Sequence, residues 1–303
     1  MIGGAAFVAL EAARRTFRLT QLFCPTRDPL TTWNPADYGI PADQAEELWF
    51  EADDGARLYG WYLRSKNPVA SAVYCHGNTG NLTNAAFVMP HLLASGINVL
   101  LFDYRGFGRS EGFATLHGVV MDAIAAARFH ETVRPRHLPS LLYGYSLGGA
   151  IAAQTIEVHP FDGLILQSTF SSLPDIARAA FPRLPLHLIS GRGFDTVKAI
   201  RALDQPLLII HGSDDETCPR WMAESIYAAS ERSTTQMHVV EGGLHKDLWL
   251  RTPQRLVELI RDFASQLPRH PRIVENRVPL YDRIVDSAFR YVRRHLREAI
   301  KPT

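Results

Sequence analysis

A single serine, Ser146, stands between two glycines in the stretch Gly144-Tyr145-Ser146-Leu147-Gly148. Residues without a β-carbon at positions 144 and 148 allow the backbone to turn sharply around the serine, from the end of a strand into a helix. Such a turn exposes the hydroxyl group, as a serine nucleophile requires. Because glycine and serine are common, the spacing predicts a nucleophile only if a strand precedes it and a helix follows it.

A serine hydroxyl is a weak nucleophile, so it needs a histidine as its base and a carboxylate that orients the histidine. Two polar segments downstream contain both residue types: His211-Gly212-Ser213-Asp214-Asp215-Glu216 and Glu241-Gly242-Gly243-Leu244-His245-Lys246-Asp247. We interpret His245 as the base, because it lies in a glycine-rich loop, whereas the ring of His211 is placed to stabilise a turn. Asp214 and Asp215 are adjacent and their side chains point in different directions, so only one can meet His245.

Short apolar runs alternate with helical patterns along most of the chain, which predicts a mostly parallel sheet. The predicted strands are 47–52, 56–63, 70–75, 97–102, 140–143, 164–167, 206–211 and 236–241, and the predicted helices are 82–95, 116–133, 147–158, 220–230 and 248–266. The first two strands flank an Asp-Asp-Gly turn and are predicted to form a hairpin. Ser146 and both polar segments follow predicted strands, and the carboxyl ends of parallel strands share one edge. The serine, the histidine and a carboxylate are therefore expected to meet there.

Four sequence blocks, in this order, resemble the α/β-hydrolase superfamily. They are His76-Gly77-Asn78-Thr79-Gly80-Asn81, Phe102-Asp103-Tyr104-Arg105-Gly106-Phe107-Gly108-Arg109-Ser110-Glu111-Gly112, Gly144-Tyr145-Ser146-Leu147-Gly148 and His211-Gly212-Ser213-Asp214-Asp215. Within the superfamily they are similar to the compact serine hydrolases that include depalmitoylating thioesterases and many bacterial carboxylesterases. The similarity covers residues from about 26 to about 266. It implies an α/β-hydrolase fold with an N-terminal antiparallel hairpin, helices on both faces of the sheet and a small cap insert.

The resemblance also implies a role for several residues. In that family the acid is the last residue of the His-Gly-x-x-Asp block, which is Asp215 here, and it acts with Ser146 and His245. Backbone N–H groups of Asn78 and Leu147 are implied as the oxyanion hole, which stabilises the charge of the tetrahedral intermediate. The sequence departs from the family on both sides of His245, where relatives more often have Gly before the histidine and Asn or Ser after it.

These residues predict a serine hydrolase that cleaves carboxylic esters or thioesters through an acyl-enzyme, without metal or organic cofactor. Two alternatives remain: an amidase or peptidase of the same fold and, as a different class, a catalytically silent binding scaffold. The insert at 168–205 carries apolar side chains that include Phe170, Leu173 and Phe181. If part of them line the cleft, the acyl group of the small-molecule ester substrate should be apolar.

Two further groups are interpreted as structural. Asp103, Arg105 and Arg109 lie in a glycine-rich loop after a strand, and we expect them to hold that loop through mutual hydrogen bonds. Three cysteines, Cys24, Cys75 and Cys218, stand at unrelated spacings, which indicates neither a disulfide framework nor a zinc site. We expect Cys75 to be buried in a strand and Cys218, after the acid loop, to be exposed.

Composition bounds the remaining possibilities. The chain has 303 residues, of which 46% are hydrophobic and 21% charged, and this is enough for a large core. The net charge of +1 gives no indication of nucleic acid as a partner. No window is apolar over the roughly 20 residues that a membrane span needs, and the N-terminus does not match a signal peptide. A cytoplasmic location is expected.

The predicted organisation is an N-terminal segment at 1–45, an α/β-hydrolase domain at 46–268 and a basic amphipathic helix at 269–303. In the last segment Leu280, Ile284, Ala288 and Val292 recur at every fourth position, and nine Lys or Arg stand against four Asp or Glu. We expect the apolar stripe to dock on its own domain. The alternatives are a homodimer through this helix and peripheral contact with an anionic membrane surface.

Overall fold

The computed structural model of the chain describes residues 22–183, 193–230 and 234–268. The chain divides into a compact unit, Met1–His270, and a second unit, Pro271–Thr303. The predicted basic helix, the first 21 residues and positions 184–192 of the predicted insert lie outside the described ranges. The helix and its three alternative roles therefore stay predictions.

An eight-stranded sheet forms the centre of the first unit. Its strands are β2 (Ala45–Glu51), β3 (Arg57–Leu63), β4 (Ala70–Cys75), β6 (Ile97–Phe102), β7 (Ser140–Tyr145), β8 (Gly163–Gln167), β9 (Leu207–Gly212) and β10 (Thr235–Val240). They lie in the order β10-β9-β8-β7-β4-β6-β3-β2. β3 is antiparallel to both β2 and β6, and the other neighbours are parallel. The predicted parallel sheet with an antiparallel hairpin is confirmed.

Short strands and helices complete the described chain. Strands β1 (Cys24–Pro25) and β5 (Thr79–Gly80) form a separate parallel pair. The helices are α1 (Leu82–Ala85), α2 (Met89–Ala94), α3 (Leu116–Val133), α4 (Leu147–Val158), α5 (Leu173–Ala180), α6 (Thr196–Arg201), α7 (Arg220–Ala229), α8 (Leu248–Arg251) and α9 (Pro253–Ser265). Within the described ranges, none of them has the length and apolarity that crossing a membrane requires.

Two helices that the sequence predicts as continuous are broken near prolines. The segment predicted at 82–95 forms α1, a 3₁₀ turn at Ala86–Val88 and α2, because Pro90 has no N–H to bond a carbonyl of the preceding turn. The segment predicted at 248–266 is interrupted at Thr252, which has φ −137° and ψ 53°. A residue before a proline is disfavoured in the helical region, so Thr252 separates α8 from α9.

Both faces of the sheet are buried. In β4, Val73 and Cys75 belong to one apolar core, whereas Ala72 and Tyr74 belong to the other. Helices α3 and α4 contribute side chains to the first core, and α2 and α9 contribute to the second. Helices therefore cover both faces, as a parallel sheet requires and as the sequence predicts.

Candidate active site

Ser146 lies at the turn between β7 and α4 in a conformation that few residues other than glycine adopt. Its φ is 54° and its ψ is −119°. The Ser146 N–H donates to the Gln167 carbonyl at 2.9 Å, and the Thr169 hydroxyl donates to the Ser146 carbonyl at 2.8 Å. These bonds to the segment after β8 hold the strained backbone in place.

The glycines of the motif are needed for close approach. A β-carbon on Gly148 would lie 1.9 Å from the Cys75 carbonyl oxygen, and one on Gly144 would lie 2.4 Å from the α-carbon of Gly149. Neither glycine has a positive φ; in this motif only Ser146 does. The predicted sharp turn is therefore present, and the absence of β-carbons lets the helix pack against the strands.

Ser146, His245 and Asp215 form one hydrogen-bonded chain. His245 Nδ1 lies 2.8 Å from Asp215 Oδ2, and His245 Nε2 lies 3.0 Å from Ser146 Oγ. All three residues are buried, with 3–8% of their surface exposed. An ionised carboxylate only accepts, so Nδ1 carries the proton in neutral imidazole and Nε2 is left to accept from the hydroxyl. This arrangement can move a proton from the serine to the histidine.

Asp215 rather than Asp214 lies beside His245. Its Oδ1 accepts from the backbone N–H groups of Thr217 (3.0 Å) and Cys218 (2.8 Å), which leaves Oδ2 for the histidine. Asp214 is exposed, and its carboxylate accepts from the Ser213 hydroxyl. The turn after β9 therefore separates two acids that the sequence places side by side.

His211 stabilises the acid loop. Its Nε2 donates to the Cys218 carbonyl at 2.7 Å and lies 3.5 Å from Asp215 Oδ2. Burial lowers the pKa of His211, so the ring stays neutral at neutral pH. This placement agrees with its interpretation as a loop histidine.

Ser146 and His245 line a cleft of about 360 Å³. Polar and apolar side chains share its described wall. The polar ones include Asn78, Thr79, Asn81, Asn84, Thr217 and Lys246, and the apolar ones include Ala85, Phe87, Val88 and Trp249. The described part of the predicted insert contributes none of these residues, since Phe170 and Phe194 pack into the first core instead.

The two residues implied for the oxyanion hole are Asn78, which lines the cleft, and Leu147, which follows the serine. Asn78 lines the cleft, and its carbonyl accepts from the Cys24 N–H at 2.8 Å, so the pair β1–β5 holds its loop. Leu147 is the first residue of α4, and the first N–H groups of a helix have no acceptor within it. The Leu147 N–H thus begins a helix directly after the serine, and the loop of Asn78 lines the same cleft.

Sequence reasoning missed two supports of the site. The Tyr145 hydroxyl donates to the His245 carbonyl at 3.2 Å, and burial raises the pKa of Tyr145, which keeps it a neutral donor. Trp249 Nε1 donates to Gln167 Oε1 at 3.0 Å, and both residues line the cleft. Tyr145 could have been suspected from its place inside the motif, whereas no sequence pattern marks Trp249.

Asp103, Arg105 and Arg109 were expected to hold their loop through mutual hydrogen bonds, and only the contact of the Arg109 backbone N–H with the Asp103 carboxylate among the described residues fits this. Each contacts a different element: Asp103 accepts from the Leu82 N–H at 2.6 Å, Arg105 pairs with Asp122 at 2.7 Å, and Arg109 pairs with Glu47 at 3.1 Å. The three side chains therefore attach their loop to its surroundings. Their interpretation as structural agrees with these contacts.

The expected exposure of Cys218 is also wrong. Only 1% of its surface is exposed, because the acid loop folds its side chain into the first core. Cys75 is buried as predicted, and Cys24 is exposed. The described part of the chain contains no group of three or more His, Cys, Asp or Glu that could hold a metal ion.

Comparisons with known proteins identify the family. A family model described as serine aminopeptidase, S33, matches residues 66–192. The protein YfhR of Escherichia coli K12 is 33% identical over 222 residues, which cover 69% of this chain and 76% of that protein. The α/β hydrolase domain-containing protein WAV2 of Arabidopsis thaliana is 29% identical over 229 residues, 68% of this chain and 73% of that protein.

A solved structure shares the fold. The esterase Pf2001 of Pyrococcus furiosus superimposes with a TM-score of 0.66 at 19% identity, and the match covers 81% of this chain and 98% of that chain. Fold, sequence blocks and relatives agree. The chain belongs to the α/β-hydrolase superfamily of serine hydrolases.

Proposed function

We propose that this protein hydrolyses carboxylic esters or thioesters through an acyl-enzyme on Ser146. The hydrogen-bonded chain Ser146–His245–Asp215 is the observation that carries the proposal. Ser146 Oγ attacks the carbonyl carbon while His245 takes its proton, and His245 then gives that proton to the leaving alcohol or thiol. Water attacks the acyl-enzyme by the same route and releases the acid.

The oxyanion of each tetrahedral intermediate is proposed to bind the backbone N–H groups of Asn78 and Leu147. Removing one such donor costs about 3–4 kcal/mol in well-studied hydrolases. The position of Leu147 at the start of α4 supports this role, since a helix N-terminus also favours negative charge. Both donors belong to the backbone, so the side chains at these positions remain available for other contacts.

The acyl group is proposed to be apolar. Ala85, Phe87 and Val88 form a continuous apolar part of the cleft wall, and Phe87 is 45% exposed. An acyl chain that covers this exposed ring removes apolar surface from water, which contributes about 25 cal/mol for each Å². The acyl group is thus proposed to contact the segment around the 3₁₀ turn at Ala86–Val88, and not the insert at 168–205 that the sequence suggested.

An aminopeptidase activity is the alternative that the description of the family model raises. Such an enzyme must bind the positively charged α-amino group of its substrate, and a carboxylate is the usual partner. Among the described residues that line the cleft there is no Asp or Glu, whereas there is a lysine. The charge of the described wall therefore favours the ester hydrolase.

A panel of p-nitrophenyl esters, thioesters and p-nitroanilides of graded acyl length tests the proposal. The wild type should hydrolyse esters or thioesters with kcat/KM that rises from acetyl to longer acyl groups, and Ser146→Ala should abolish this activity. Hydrolysis of anilides alone would assign the peptidase function instead. Absence of turnover on every substrate would favour a binding scaffold.

A further inference from the structure

The described wall of the cleft carries one permanent charge, the ammonium group of Lys246. Its remaining residues are neutral side chains together with two histidines, His76 and His245. No carboxylate lines this part of the cleft to balance the charge. A substrate that enters the cleft therefore meets a cation with no carboxylate in the described wall around it.

Lys246 has no partner among the residues that the structure describes. The acid that follows it, Asp247, accepts from the Leu244 N–H at 2.7 Å and from Arg251 Nε at 2.5 Å. Asp247 therefore pairs with Arg251 and not with Lys246. The exposed lysine side chain remains available for a ligand.

Two amides add further donors to the same cleft. The Oδ1 of Asn78 accepts from the Thr79 hydroxyl at 3.2 Å, and the Oδ1 of Asn84 accepts from the Asn81 N–H at 2.9 Å. Each oxygen already accepts one bond, whereas neither NH₂ group donates to a described residue, so both amides retain their donors for a ligand. Within the described wall, an excess of donors favours a ligand with negatively charged acceptor atoms.

We propose that Lys246 binds an anionic group, a carboxylate or a phosphate, on the leaving-group part of the ester. This inference rests on the proposed ester hydrolysis. His245 gives its proton to the leaving group, so the leaving group departs on the histidine side of Ser146. Lys246 lines the same cleft as Ser146 and His245, and its long exposed side chain is the described cation that such a leaving group would meet.

Three butanoate esters with matched leaving groups test the proposal. Their phenols are 4-hydroxybenzamide, 4-hydroxybenzoate and 4-hydroxyphenyl phosphate, which are neutral, carboxylate-bearing and phosphate-bearing. The variants are Lys246→Gln, which removes the charge, and Lys246→Arg, which keeps it. Lys66→Gln is the matched control, because Lys66 is an exposed lysine that lines a different groove.

The measured quantity is the ratio of kcat/KM for each anionic ester to kcat/KM for the neutral ester. We expect Lys246→Gln to lower at least one ratio by about 2–5-fold, as befits an exposed ion pair, and we expect added salt to lower it in the wild type. Lys246→Arg and Lys66→Gln should keep the wild-type ratio. The ester whose ratio falls more identifies the anion. Equal ratios in wild type and Lys246→Gln would overturn the proposal.

A binding measurement separates this inference from the proposed function. Phenyl phosphate and benzoate are titrated calorimetrically into the wild type and into Lys246→Gln, with Lys66→Gln as the control. Binding of either anion that weakens only in Lys246→Gln supports the anion site even if no ester is hydrolysed. If the esters are hydrolysed, but Lys246→Gln changes neither the kcat/KM ratios nor the binding of either anion, the anion site is refuted. The proposed ester hydrolysis is then unaffected.

Discussion

Replacement of Asp215 by asparagine tests how the acid loop controls the histidine. In the wild type Oδ1 accepts two backbone N–H groups and Oδ2 accepts His245 Nδ1. The two N–H groups dictate that an asparagine keeps its oxygen at the Oδ1 position. Its NH₂ then faces His245 as a donor, so Nδ1 must become an acceptor and the proton moves to Nε2. With the proton on Nε2, the ring cannot take a proton from Ser146.

The size of the effect follows from the cost of the opposite orientation. Turning the amide over would leave the buried N–H of Cys218 unpaired, at about 1–3 kcal/mol, and the partly exposed N–H of Thr217, at about half of that. The active orientation then costs about 1.5–4.5 kcal/mol, so kcat should fall by between about tenfold and about 2,000-fold. Loss of the imidazolium's carboxylate partner adds to this decrease.

The assay is kcat on a soluble p-nitrophenyl ester, with thermal unfolding to confirm that Asp215→Asn is folded. Asp214→Asn is the matched control, since Asp214 is exposed and its carboxylate bonds the Ser213 hydroxyl but no other side chain in the described ranges. The control should keep kcat within about twofold. A decrease of less than tenfold in Asp215→Asn, or an equal decrease in both variants, would refute the reasoning.

Two further predictions follow from burial. Burial raises the pKa of the Cys75 thiol to about 12 and also raises the pKa of Cys218. Ellman's reagent should therefore modify only the exposed Cys24 quickly in the native protein, and all three thiols after denaturation. Fast reaction of a native Cys24→Ser variant would contradict this. Burial lowers the pKa of His130 to about 3. Between pH 7 and pH 5, His130 therefore takes up a proton in the unfolded chain but not in the folded protein. This difference should lower the free energy of unfolding by about 2 kcal/mol. Denaturant unfolding at both pH values should show a smaller decrease in His130→Asn, and an unchanged decrease would refute the assignment.

The mostly parallel sheet, its N-terminal hairpin and the location of the site could be predicted from sequence because they depend on local patterns. Apolar runs separated by helices fix a parallel sheet, and strand ends then bring Ser146, Asp215 and His245 to one edge. The spacing of glycines around Ser146 predicted the turn. These features need no knowledge of long-range side-chain contacts.

The choice between Asp214 and Asp215 could not be made from spacing alone. Both follow the same strand, and the difference arises from the turn at Thr217 and Cys218, whose N–H groups fix the orientation of one carboxylate. The resemblance to the superfamily indicated Asp215, and the geometry gives the physical reason. The same turn buries Cys218, which the sequence had suggested to be exposed.

The residues that line the cleft could also not be predicted from the sequence patterns. The segment at 82–95 is predicted as one helix, and its break near Pro90 lets Phe87 and Val88 line the cleft. In the sequence, Lys246 stands out only as a departure from the pattern of the superfamily. Its position in the cleft depends on how the loop after β10 approaches β7, a contact between residues about one hundred positions apart.

Labelling with a fluorophosphonate probe tests the central role of Ser146 most directly, because the probe reacts covalently with an activated serine. Intact-mass measurement and peptide mapping should find one adduct, on Ser146, in the wild type and none in Ser146→Ala. Ser168→Ala is the matched control, since Ser168 is buried, also has a positive φ of 48° and follows the neighbouring strand β8. This control should keep the adduct. An adduct that persists in Ser146→Ala, or that maps to another serine in the wild type, would contradict Ser146 as the nucleophile.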